Sequence, residues 1–137
     1  MYTINFWHVL ITAFVSMVIG ALWYSPVLFG KLWIRLSGFS EADIALAKQK
    51  KMTKEYTLSF VGVLIMSYVL AHFVQIAQAV TFGQGMQLGF WIWLGFVVTS
   101  FLNSVLWEGK SWQLYALNIS HYLVVLVLAG GILAAWS

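Results

Sequence analysis

Residues 112–136 read WQLYALNISHYLVVLVLAGGILAAW. The stretch holds no Asp, Glu, Lys or Arg, and a tryptophan closes each end. An apolar run of about 20 residues in helical form crosses the roughly 30 Å of a bilayer's hydrocarbon core. Its apolar residues run on continuously, without the alternation of a barrel strand, so a membrane-spanning helix is the reading. Three further stretches share this character: Ile4–Tyr24, Thr57–Val80 and Met86–Trp107. The expected fold is an all-α membrane protein of four spans, about 4–24, 57–80, 86–107 and 112–136, forming one domain over residues 1–137. Residues 1–24 lack the positive start of a signal peptide, so the first stretch is read as a retained span.

Composition supports this. The chain has 137 residues, of which 62% are hydrophobic and 8% charged, and its mean hydropathy is +0.89. A soluble domain is typically about a quarter charged, and a short one has too little interior to hide so much apolar surface. With no cysteine there is no disulfide framework. The net charge is +3, but the basic residues are few and flank the apolar spans. Membrane lipid, not nucleic acid, is the partner this implies.

The links differ. The second, Thr81–Gly85, and the third, Glu108–Ser111, read as tight turns, which make neighbouring helices antiparallel. The first, about residues 25–56, has internal order. Ser25-Pro26 reads as a helix start and Gly38 as its stop, with Leu28, Leu32, Trp33 and Leu36 opposite Lys31 and Arg35. That is the pattern of an interfacial helix. A cytoplasmic amphipathic helix follows, capped by Ser40 with Asp43 three residues on and Phe39 placed to staple onto Ile44. It can run on without a break into the second span.

The basic residues Lys31, Arg35, Lys48, Lys50, Lys51 and Lys54 lie in the first link and Lys110 in the third. All therefore fall on one side, which the positive-inside rule makes the cytoplasm, with both termini outside it. The first six are candidates for lipid headgroups. Trp7, Trp23, Trp33, Trp107, Trp112 and Trp136 sit near span ends as an aromatic belt. A weak echo pairs Ala71-His72-Phe73 with Ser120-His121-Tyr122, as two related hairpins would.

Gly20-Ala21-Leu22-Trp23-Tyr24-Ser25-Pro26, then Leu28-Phe29-Gly30-Lys31 and Trp33, resembles the signature of a bacterial family catalogued as domain of unknown function 1761. Leu102-Asn103, Leu106-Trp107-Glu108-Gly109 and the His121-Tyr122 region extend the likeness over nearly the whole chain. The resemblance implies a small four-helix protein of the bacterial inner membrane. It implies no catalytic residue.

Polar and small side chains recur about every four residues inside the spans: His8, Thr12, Ser16 and Gly20; Ser67, Ala71, Gln75 and Ala79; Gly95, Thr99 and Asn103. Each set shares a helix face. They are read as packing surfaces or as the lining of a polar cavity, with His72, Gln75, Asn103, Asn118 and His121 the binding candidates. Each intramembrane histidine is a proton relay or a single cross-helix hydrogen bond. His72 and His121 differ by about 9 Å in expected depth, against joint ligation, and neither metal nor cofactor is expected. No Asp or Glu lies deep in a span, against proton exchange through a carboxylate, and no nucleophile with its base is visible, so an enzyme is not expected.

Two function classes stand open. One is binding or passage of a small or amphiphilic molecule through a cavity lined by the five candidates. The other is a structural or accessory role, binding lipid or a partner membrane protein through the first link. Small-residue stripes on four short helices also lead us to expect a homo-oligomer.

Overall fold

The computed structural model describes residues 2–136. The described residues form six helices: α1 (Phe6–Trp23), α2 (Gly30–Ser37), α3 (Glu41–Gln49), α4 (Thr53–Ile76), α5 (Phe82–Leu106) and α6 (Trp112–Ala135). Of these α1, α4, α5 and α6 are long and apolar enough to cross a membrane. The second span begins a turn earlier than expected, so Lys54 and Glu55 stand on its first turn, and it ends at Ile76 instead of Val80.

Local chemistry sets the helix ends. The Asn5 side chain caps α1 by accepting from the backbone N–H groups of Trp7 and His8. At α3 the expected capping box is present: the Ser40 hydroxyl accepts from Asp43 N at 3.1 Å, and the Asp43 carboxylate accepts from Ser40 N at 2.9 Å. The helix does not run on into the second span. It stops at Gln49, Lys50 turns extended, and α4 restarts at Thr53.

Two links differ from their expected form. Ser25-Pro26 does not start α2. The Ser25 hydroxyl donates to Leu22 O instead, and the chain turns until Gly30. Gly30 closes that turn by donating from its N–H to Ser25 O at 2.8 Å. A Cβ on Gly30 would stand 2.6 Å from Tyr24 O, so the turn admits only glycine there. Thr81–Gly85 is not a turn either. Thr81 caps α5, Gln84 reaches back to Val80 N and Thr81 N, and the real turn precedes them, with Gln78 at φ +56. Thr-x-x-Gln is a capping box, a signal present in the sequence.

Helix α6 is the hub. It carries buried residues from Leu114 to Ala134 and packs against α1, α4 and α5. Helix α5 runs antiparallel to it in backbone contact: a Cβ on Gly85 or Gly89 would overlap the carbonyls of Gly130 and Leu126 respectively. Further along, α5 widens into a π-helical stretch at Trp93–Val98. The two aromatic donors at this stretch bridge the helices: Trp93 Nε1 donates to Ile119 O at 2.7 Å, and the Tyr115 hydroxyl to Val98 O at 2.6 Å.

Helices α1 and α4 also lie antiparallel. Their buried residues are Val9, Thr12, Ala13 and Ser16 on one and Ser67, Leu70, Ala71 and Val74 on the other, all toward one end of the bundle. That end also holds His8 against Trp136, ring centroids 4.6 Å apart, so the start of α1 meets the end of α6 there. We call it the terminal end, and the other, which holds both links with basic residues, the basic end. Buried Thr12 and Ser16 turn their hydroxyls onto carbonyls of their own helix, at 2.7 and 2.9 Å. Among the described residues these two hydroxyls therefore pack α1 without a polar bond across to another helix.

Candidate functional site

Toward the basic end α4 parts from α1 and α6. None of its residues from Thr53 to Met66 is buried. The gap is a cleft of about 740 Å³. Helix α1 supplies Ser16, Met17, Gly20 and Ala21, with Tyr24 and Ser25 just past its end; α4 supplies Tyr56, Ser59, Gly62, Val63 and Met66; α6 supplies His121, Tyr122 and Val125. No charged side chain lines it. Gly20 and Gly62 line this space without side chains of their own, and a Cβ on Gly62 would meet nothing within 4 Å.

His121 is the most polar group of this wall. Its ring lies among Tyr122 at 4.8 Å, Tyr24 at 5.3 Å and Trp23 at 6.2 Å between centroids. Both ring nitrogens are buried and have no hydrogen-bond partner among the described residues; the same holds for the indole Nε1 of Trp23. Native proteins pair nearly all such groups, and each exception calls for an explanation. The absent Cβ of Gly20 would stand 3.2 Å from His121 Nε2, so α1 presses directly on the imidazole.

The five candidate residues do not share one cavity. Only His121 lines the cleft. Asn118 braces it from behind, accepting the Tyr24 hydroxyl at 2.8 Å. His72 lies toward the terminal end, where its Nδ1 is 2.8 Å from the Tyr2 hydroxyl. Gln75 lines a separate small cavity of about 160 Å³ there, with Asn5, His8 and Trp136. Asn103 is exposed on α5. Tyr2 and Gly20 mark opposite ends of α1, so His72 and His121 stand at different levels, and the echo between their segments does not carry into matching positions. Among the described residues no three of His, Asp or Glu gather into a group able to hold a metal ion.

The site also uses residues that composition hid. Trp23 reads as one of the aromatic belt; its ring packs on Phe29 at 4.7 Å and lies 6.2 Å from His121, behind the cleft wall. Tyr24 sits in the Gly20–Pro26 motif and joins α1 to α6. Lys31, Arg35, Lys48, Lys50, Lys51 and Lys54 are all exposed at the basic end, where Lys50 pairs with Glu55 at 2.9 Å.

Four helices of spanning length, three of them packed against the fourth, are those of a multi-pass membrane protein. The family described as "Protein of unknown function (DUF1761)" matches residues 7–134, nearly the whole chain, and the protein belongs to it. No curated protein and no solved structure matches the chain.

Proposed function

We propose that this is a bacterial inner-membrane protein that binds a small or amphiphilic molecule in the cleft between α1, α4 and α6, and is not an enzyme. The observation that carries the reading is the uncharged cleft of about 740 Å³ with an unpaired histidine in its wall. Its size is that of a small-molecule site, and its mix of many apolar groups with a few polar ones is the usual one. The positive-inside rule places the basic end in the cytoplasm and both termini outside. The cleft then opens in the inner leaflet, with α2 in the interface beside it and Lys31 and Arg35 toward headgroups.

The test is photolabelling in proteoliposomes with a diazirine-bearing amphiphile, followed by mapping of the labelled residues. Label should concentrate on residues 16–25 and 59–66 and fall when Gly20→Leu fills the space. Label spread evenly over the outward faces of all four spans would reject the site. The exposed cations favour a second reading, accessory docking on anionic lipid through the first link. In that case Lys48→Gln with Lys51→Gln would reduce retention of anionic lipid while leaving the photolabelling pattern intact.

A further inference from the structure

Resting on the cleft reading, we infer that the occupant is a two-chained anionic phospholipid, its chains lying in the cleft and its phosphate at the basic end. The first argument is length. From Tyr56 to Met66 the α4 wall of the cleft runs ten residues, about 15 Å at 1.5 Å per residue. That is one leaflet of a hydrocarbon core roughly 30 Å thick. The second argument is width. Spread over that length, the cleft's volume of about 740 Å³ gives a mean section of about 50 Å². An extended hydrocarbon chain, its carbons about 3.5–4.0 Å from their neighbours, takes roughly 20 Å². Two chains fit side by side and a third does not.

The third argument is the order of groups along the wall. At the basic end the lining includes Ser25, Tyr56 and Ser59; at the deep end it includes Met17, Met66 and Val125. Among the described residues the Tyr56 and Ser59 hydroxyls have no hydrogen-bond partner. Ser16, also deep, already donates its hydroxyl to Thr12 O at 2.9 Å, and the nitrogens of His121 are buried in the wall. An amphiphile therefore lies with its head at the basic end, where free hydroxyls donate to phosphate or ester oxygens. Charge sets the sign of that head. All seven Lys and Arg and all four Asp and Glu stand at this end, with Lys31 six residues past Ser25 and Lys54 two residues before Tyr56. The surplus of cations attracts an anion and repels a lipophilic cation. A single-chained amphiphile leaves half of the section empty and forfeits its contacts. A diacylglycerol brings no charge to the cations.

The experiment is native mass spectrometry of the full chain, released from detergent after equilibration with equal amounts of dioleoyl phosphatidylglycerol, dioleoyl phosphatidylcholine, oleoyl lysophosphatidylglycerol and dioleoylglycerol. One phosphatidylglycerol per chain should be retained in preference to the other lipids. Lys31→Gln and Lys54→Gln should each reduce its preference over phosphatidylcholine about fivefold, the factor that about 1 kcal/mol per charge gives. Gly62→Leu should lower retention of both two-chained phospholipids by filling the second chain's space; a Cβ there meets nothing within 4 Å, so the fold accepts it. Equal retention of lysophosphatidylglycerol or phosphatidylcholine by the unmodified protein overturns the inference, as does full retention in Gly62→Leu. Retention lost only in Lys48→Gln with Lys51→Gln would place the lipid on the first link and overturn it as well. If photolabelling of residues 16–25 and 59–66 persists in any of these events, the cleft still binds and only the phospholipid assignment falls. If that labelling is absent too, the cleft reading falls with it.

Discussion

Replacing Gly85 by alanine should destabilise the protein, while the same change at Gly83 should not. A methyl group at position 85 overlaps the Gly130 carbonyl oxygen and stands 2.6 Å from the Ala134 Cβ. Carbon atoms pack best at about 3.5–4.0 Å, so α5 and α6 must separate by roughly 1 Å at this point. A gap of that size forfeits about a quarter to a half of each dispersion contact along the seam, and overpacking of this kind costs about 1–3 kcal/mol. Helix α5 has little else to hold it, since only 6% of its most apolar stretch is buried. At Gly83 a Cβ meets nothing within 4 Å. There alanine's better helix propensity should contribute up to about 1 kcal/mol of stability. The two variants should therefore move in opposite directions in reversible SDS unfolding from mixed micelles, followed by far-ultraviolet circular dichroism. Equal stability of Gly85→Ala and Gly83→Ala would show that the two helices are not in backbone contact, and the hub role of α6 would fail with it.

Asn118→Leu should cost about 0.6–1.7 kcal/mol through the lost Tyr24 bond. A double-mutant cycle with Tyr24→Phe in the same unfolding assay should recover that coupling, and a cycle with no coupling would deny the bond. At the start of α3, Ser40→Ala should loosen the helix by about 0.5–2 kcal/mol, seen as faster amide exchange over residues 41–49. The Ser40 backbone N–H and then its hydroxyl hold the Asp43 carboxyl below its usual value. A depressed carboxyl stabilises the folded form above its unfolded pKa, and that contribution is lost as pH falls through the folded value. Amide exchange in α3 should therefore quicken in acid, and it should do so less in Asp43→Asn. Because the chain has no cysteine, Lys48→Cys and Gly83→Cys each give a single thiol. An impermeant maleimide should reach position 48 only from the cytoplasmic side and position 83 only from outside; labelling of both from one side would contradict the antiparallel arrangement.

The candidate site was only half legible in the sequence. His121 and Asn118 stand out as polar residues inside an apolar run, because burial of such groups in lipid is costly whatever the fold. By the same rule His72 and Gln75 look equivalent to them, yet they serve the terminal end of the bundle. Asn103 faces outward, and Gly95 and Thr99, which share its period, are exposed with it. In a soluble protein the polar face of a helix marks the outside. In lipid both faces are apolar, so periodicity shows which residues share a face but not which face meets a neighbour.

The chain alone determined the four spans, the clustering of Lys and Arg in two links, and the capping of α3 by Ser40 and Asp43. Each depends on residues close together in sequence: a sum of transfer energies over one run, or a hydrogen bond spanning three positions. The parting of α4 from α1, the contact of Gly85 with Gly130 and the meeting of Trp23 with His121 were decided only by the tertiary structure. These depend on how closely backbones from distant segments approach, and that distance is a property of helix pairs that no single helix carries in its own sequence.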